Sequence, residues 1–282
     1  MADLPYLCTG TLGRIPWDDK ARAASAAGFG RLSIYGREHR KLHERGWDDD
    51  AIVDLLSELN LRVAEYDGAV MTMRSPDGAE EVVAAAAALG ARSITVLEHT
   101  VAGQPPWVPG EHIAQAATTL AEIADQAADH EILALIEPFA WSPLDDHRVA
   151  AEIIDRADRP NAGLLVDTWH LGRGPERGRL DPAIDPARIN ALQVSDLAPA
   201  PSTAQTSEEV AYESIHHRLL PGHGHGHIAE FLAELARRGV DAPIAVEVFS
   251  DDLNTLPPEQ AARLALTALT QVLPQPPSTT IP

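Results

Sequence analysis

Strand-like and helix-like segments alternate along this chain about eight times, with no linker-like shift of composition and no repeat visible in the sequence. Short apolar or alternating runs bounded by turn residues read as strands. Such runs cover residues 6–11, 31–35, 62–67, 93–97, 132–139, 162–170, 191–196 and 243–249. Between them lie segments with apolar residues at helical spacing: 17–27, closed by Gly28; a helix opened by Asp48 with Ile52, Leu55, Leu56 and Leu59 on one face; and 77–89, ended by Gly90. Further helices are expected over 111–130, 147–157, 228–238 (stopped by Gly239) and 258–273, with a short helical turn over 187–190. Regular alternation of this kind implies a parallel sheet. Eight units in 282 residues imply a closed (β/α)8 TIM barrel forming a single domain, residues 1–273. The Pro-rich tail 274–282 is expected to be disordered.

Four of the buried runs break off at a polar residue. Glu137 sits near the end of I-L-A-L-I-E-P-F, Asp167 ends A-G-L-L-V-D, Gln193 lies in A-L-Q-V-S-D, and Glu247 lies in P-I-A-V-E-V-F. In a barrel these positions converge on the carboxyl-terminal mouth, where active sites are built. Three carboxylates buried together without a cation would leave like charges within a few ångströms of one another. One divalent metal ion held by Glu137, Asp167, Gln193 and Glu247 is therefore expected, and oxygen donors suit Mg2+, Mn2+ or Co2+. The loops 101–110, 172–186 and 197–214 all follow strands and fall on the same face. The segment 197–214 is Pro-, Ser- and Glu-rich and without periodicity.

These runs, together with V-D-T-W-H at Asp167 and His170 and R-L-L-P-G-H-G at Arg218, resemble the xylose-isomerase-like barrels. That superfamily includes sugar isomerases and epimerases, inosose and 3-dehydroshikimate dehydratases, and apurinic endonucleases. The resemblance spans essentially the whole barrel. It implies that Glu137, Asp167, Gln193 and Glu247 are metal ligands, that His170 contacts substrate or transfers protons, and that Arg218 binds a substrate oxygen or carboxylate. Many epimerases have histidine where this chain has Gln193, and the dehydratase branch can have glutamine there.

The implied reaction is proton abstraction from a small polyhydroxylated carbonyl compound through a metal-stabilised enolate or ene-diolate. His170, Glu137 and Glu247 are the candidate catalytic groups, and Arg218, His99 and Glu98 the candidate substrate contacts. His170 is suited to the proton transfer because the reference pKa of histidine lies near neutrality. Isomerisation or epimerisation is slightly preferred, with dehydration close behind. Tyr35 and Asp67, also at strand ends, are weaker candidates. Trp107 and Trp141 are candidate pocket walls, and His223, His225 and His227 in H-G-H-G-H read as loop histidines rather than a second metal site.

A formal net charge of −20 disfavours nucleic-acid and anionic-lipid partners, which weighs against an endonuclease. A sugar-binding barrel without catalysis is the other alternative. One cysteine, Cys8, excludes an internal disulfide and reads as a small buried side chain on the first strand. With no signal-like amino terminus and no bilayer-length apolar run, a cytoplasmic protein is expected, with association into homo-oligomers an option.

Overall fold

The computed structural model describes residues 5–70, 72–98 and 107–274. Eight parallel strands, β1 (Tyr6–Leu7), β2 (Arg31–Tyr35), β3 (Arg62–Val70), β4 (Ser93–Val96), β5 (Leu133–Ile136), β6 (Ala162–Asp167), β7 (Ile189–Val194) and β8 (Ile244–Val246), pair in chain order. β1 closes the barrel on β8, with Tyr6 opposite Ala245 and Leu7 opposite Val246. The expected single-domain (β/α)8 barrel is thus the fold observed.

The outer layer follows the helical periodicity of the sequence. α1 (Trp17–Ala27), α3 (Asp49–Glu58), α4 (Ala79–Ala88), α5 (Pro109–Ala128), α6 (His147–Ala157), α9 (Ile228–Arg237) and α10 (Pro258–Val272) turn their apolar stripes onto the barrel. α1 ends where Gly28 takes a left-handed φ of 98°, a conformation glycine adopts without a Cβ penalty. No described helix is long and apolar enough to cross a membrane.

Two helices lie where no apolar periodicity points to them. α2 (Gly36–Glu44) is highly charged and buries Leu42 as its one aliphatic side chain, and it starts from a box in which Glu38 reaches back to the Tyr35 backbone. α8 (Ser207–His216) falls in the segment expected to be a loop. Only Ser214 of α8 is buried, so it lacks an apolar stripe, but Thr206 and Glu209 form a reciprocal capping box. The run at 162–170 also divides. The strand stops at Asp167, and Thr168–Arg173 forms the short helix α7, capped by the Asp167 carboxylate, which accepts from the amides of Trp169 and His170.

Strand side chains alternate between faces, and this fixes what the barrel encloses. Leu133, Leu135, Leu165 and Ala191 pack together, with the last three fully buried. Two residues beyond Leu135, Leu165, Ala191 and Ala245 on the same faces come Glu137, Asp167, Gln193 and Glu247. The apolar floor is therefore succeeded by a polar layer toward the carboxyl ends. Asp167 lies directly opposite Gln193, and Tyr35 directly opposite Asp67.

The floor has no spare room at Gly163. A Cβ there would lie 1.9 Å from Asn190 Oδ1 and 3.0 Å from Leu135 Cδ2. Gly163→Ala should lose about 1–3 kcal/mol through overpacking, read as a lower urea midpoint at unchanged slope. A midpoint equal to that of the unsubstituted protein would show that Asn190 moves aside freely.

Candidate active site

The polar layer opens into a cavity of about 460 Å³ whose lining includes Glu137, His170, Arg218, Glu247, Tyr35 and Asp67. This volume suits a small ligand. Glu137, Asp167 and His170 each place a potential ligand atom within 4.8 Å of the others, and Cys8, Asp67 and Glu247 form a second such group. Asp167 and Glu247 are joined through Arg218, whose Nη1 donates to Asp167 Oδ2 at 2.5 Å and to Glu247 Oε2 at 3.0 Å.

Arg218 is buried, and its donors are used within the protein. Nε donates to the Ser214 carbonyl, and Nη2 lies 3.1 Å from Ser214 Oγ and 3.2 Å from His170 Nε2. Its guanidinium stacks 5.3 Å from the Trp169 ring and 5.0 Å from Phe249. The residue expected to hold a substrate oxygen lines the cavity and joins two carboxylates and a histidine. Like charges at the mouth are thus compensated in part by the protein itself.

That compensation is incomplete. Glu65, Asp67, Glu137, Asp167 and Glu247 are all buried, and of these Asp167 and Glu247 are paired with Arg218. Burial pushes Glu137 and Glu247 well above the usual carboxylate range, for Glu137 with further repulsion from Glu247 and Asp67. Burial and Asp67 push Glu65 up to about 8. Asp167 goes the other way. Burial raises its pKa, but Arg218, His170 and hydrogen bonds outweigh that and hold it at about 2. Asp167 is the ionised partner of Arg218, whereas Glu247 retains a proton more readily.

A layer below, Tyr6 Oη donates to Glu65 Oε2 at 2.7 Å, as does Gln193 Nε2 at 3.3 Å. Glu247 Oε1 accepts from Cys8 Sγ at 2.8 Å and from Tyr35 Oη at 3.2 Å. Burial, Glu247 and Asp67 push the Cys8 thiol up, so it stays protonated as a donor. Glu65, Tyr6 and the hydrogen-bonding role of Cys8 are parts of the site that the strand-end pattern does not reveal. Glu65 sits two residues before Asp67 on the same face of β3, and the period of two is the signal that finds it.

The donor set fits a divalent cation on three observations. Gln193 Oε1 and Glu65 Oε1 are buried without a hydrogen-bond partner. No hydrogen-bond donor among the described residues reaches the Glu137 carboxylate. Of the five buried carboxylates Glu65, Asp67, Glu137, Asp167 and Glu247, two are paired with Arg218. Gln193 Oε1 and Glu65 Oε1 are both oxygens, the donor type preferred by hard and borderline divalent ions.

His170 stacks on Phe139, with centroids 4.5 Å apart and planes 16° apart. Its Nδ1 faces the Ala140 amide at 3.2 Å, and its Nε2 faces Arg218. A neutral ring carries one proton, so it can accept from only one of these donors. Burial pushes its pKa down to about 3 despite Asp167, with Arg218 adding to the fall. The ring is accordingly neutral near pH 7, a weaker base than its reference value suggests.

Glu98 is turned away from the cavity. Its Oε2 accepts from the Met73 amide at 2.8 Å and its Oε1 from Arg74 Nε at 3.0 Å, stapling the loop after β3. His99 lies outside the described residues, as do 275–282 and most of the loop 101–110. Trp141 lines the cavity, whereas Trp107 is buried and stacks on His112. His223, His225 and His227 are exposed. The glycines between them let Gly224 and Gly226 donate their amides to the Asp196 carboxylate at 2.9 and 2.8 Å. A Cβ at Gly224 would lie 2.3 Å from the Leu197 carbonyl. Arg37, 4.2 Å above the Tyr35 ring and near enough to Asp67 to lower its pKa against the rise from burial, and Arg40 also line the cavity.

Residues 21–272 match the model of the xylose isomerase-like TIM barrel family. Over 259 residues the chain is 28% identical to a 3-dehydroshikimate dehydratase of Pseudomonas aeruginosa, covering 87% of this chain and 38% of that protein. Over 125 residues it is 28% identical to an inosose isomerase of Halalkalibacterium halodurans, covering 44% of this chain and 41% of that protein. The chain thus spans less than half the length of these relatives. A crystal structure of the IolI protein with a zinc atom superposes with a TM-score of 0.81 at 16% identity, covering 96% of this chain and 98% of that one, a likeness of fold. The chain belongs to the xylose isomerase-like TIM barrel family.

Proposed function

We propose that this protein is a divalent-metal-dependent enzyme that abstracts a proton beside the carbonyl of a small polyhydroxylated compound. The observation that carries the reading is Glu137, a buried carboxylate facing the cavity with no hydrogen-bond donor among the described residues and with its basicity raised by burial. Glu137, Asp167, Gln193 and Glu247 would hold the cation, with Mg2+, Mn2+ or Co2+ matching their oxygens. When bound, that ion polarises a carbonyl and its neighbouring hydroxyl as a Lewis acid.

The residues supply the rest. Glu137 takes the proton from the carbon next to the carbonyl, and the C–H electron pair moves toward the carbonyl. Glu247, hydrogen-bonded by Cys8 and Tyr35, is the second carboxyl group able to hold or return a proton. His170 is neutral and faces the cavity, so it orients substrate hydroxyls as an uncharged group. Arg218 positions Asp167, Glu247 and His170. Phe139 and Trp141 wall the cavity, limiting the access of water. Arg37, close enough to Asp67 to lower its pKa, and Arg40 put positive charge on its rim and suit an anionic substituent of the substrate.

Two outcomes follow proton abstraction. The proton returns to a neighbouring atom, giving an isomer of unchanged mass, or a neighbouring hydroxyl leaves with a proton as water, giving a conjugated product. We favour dehydration of a carboxylated polyhydroxy ketone, because the rim cations suit a carboxylate and the match to the dehydratase spans 87% of this chain. Isomerisation is the second reading, supported by the inosose isomerase match. Incubating the Mn2+-loaded protein with 3-dehydroshikimate or an inosose in D2O separates them by mass spectrometry. Loss of water with new ultraviolet absorbance is expected from 3-dehydroshikimate. Deuterium uptake without water loss favours isomerisation, and neither event with either compound overturns the proposal.

A further inference from the structure

On the outer face of the barrel, His39 and His43 stand four residues apart on one face of α2, with ring centroids 4.4 Å apart. Their Nε2 atoms converge on a single oxygen of Asp49, the first residue of α3. The distances to Oδ1 are 2.7 Å from His39 and 2.8 Å from His43. Two imidazoles and a carboxylate aimed at one point, each with a ligand atom within 4.8 Å of the others, match the donor types of a borderline transition-metal site. We propose that His39, His43 and Asp49 bind a second, peripheral divalent transition-metal ion, of the Zn2+, Ni2+ or Cu2+ class.

The surroundings are arranged for ligation. His39 is buried, and its other nitrogen, Nδ1, lies 3.1 Å from Tyr66 Oη on β3. A phenol is protonated near neutrality. It can donate to Nδ1 while Nε2–H bonds Asp49, or accept from Nδ1–H once Nε2 is needed as a ligand. A partner at the second nitrogen fixes ring orientation and tautomer in metal-binding histidines. His43 and Asp49 are 46% and 36% exposed, so an ion has a route in and water can complete its coordination. Imidazole nitrogen favours zinc, nickel and copper over magnesium or calcium.

Such an ion would tie α2 to the start of α3. The same helix begins directly after Tyr35 and carries Arg37 and Arg40 on the cavity rim, so the tie would steady the wall of the barrel mouth. This inference does not rest on the barrel site, because its ligands are separate.

The test is the difference in stoichiometry between the full-length protein and its variants in equilibrium dialysis against Zn2+, with Cu2+ electron paramagnetic resonance as a second readout. His43→Ala, an exposed substitution, should remove one equivalent of Zn2+ and the nitrogen coupling of that Cu2+, and Asp49→Asn should weaken the same equivalent. Glu137→Gln should leave that equivalent in place while weakening the barrel's. Loss of an equivalent in Glu137→Gln alone, with His43→Ala and Asp49→Asn unchanged in stoichiometry and spectrum, would overturn the proposal and leave the trio a hydrogen-bonded clasp. Loss in His43→Ala alone would sustain it and count against the barrel site.

Discussion

Arg218→Ala should lower stability by about 3–5 kcal/mol, the scale expected when one partner of a buried ion pair is removed and the other stays behind. Asp167 and Glu247 would be left facing each other in a buried layer, and Ser214 and His170 would lose donors. The deficit should depend on pH. Asp167 is held at about 2 against an ordinary 3.8. Its pairing therefore stabilises the native protein above about pH 4, and that contribution fades as pH falls toward 2. Because alanine at 218 removes this term, the two proteins should differ most near neutrality and converge in acid. Arg218→Lys keeps the charge but not the donor fork, and should recover only part of the loss. Urea titrations at pH 7 and pH 3 measure both effects. A loss below about 1 kcal/mol at pH 7 would mean that the carboxylates simply take up protons, and would remove Arg218 from its proposed positioning role.

The same geometry explains which parts of the site can be read from sequence. Glu137, Asp167, Gln193 and Glu247 are legible because each interrupts an apolar run at one level of the barrel, on the inward parity of its strand. Glu98 carries the same strand-end signature yet turns outward, and here the period of two decides. Leu97 lines the cavity, so Glu98, the next residue, points to the other face. Glu65 was hidden for the opposite reason, since an inward carboxylate within an alternating strand looks like an ordinary solvent-facing position until closure buries it. The partners of Arg218 lie 51 and 29 residues away in sequence, and no local pattern encodes such a contact. Helix α8, which supplies Ser214 beneath that arginine, has almost no buried face. Its Thr206–Glu209 capping box was its readable mark.

Glu137→Gln should separate stability from catalysis in the direction opposite to Arg218→Ala. Glutamine fills the same volume, so packing against the cavity wall is kept, while the buried charge is removed. Glu137 has no donor to lose among the described residues, and burial together with Glu247 and Asp67 already works against its ionised form. A group whose folded pKa is raised destabilises the native state as pH rises above its unfolded value of 4.5. The metal-free variant should therefore be at least as stable as the unsubstituted protein at pH 7, and the two should become equal near pH 4. Activity should move the other way, falling by about 10²–10⁴-fold as a positioned proton acceptor is lost, with weaker divalent binding because an amide is a poorer ligand than a carboxylate. Thermal melts without metal, paired with turnover at saturating Mn2+, make the comparison. Turnover within a few-fold of the unsubstituted protein would show that, in the proposed reaction, the proton is taken by Glu247 or His170. A stability loss as large as that of Arg218→Ala would mean that Glu137 has a donor in solution and is part of the ion-pair network around the guanidinium.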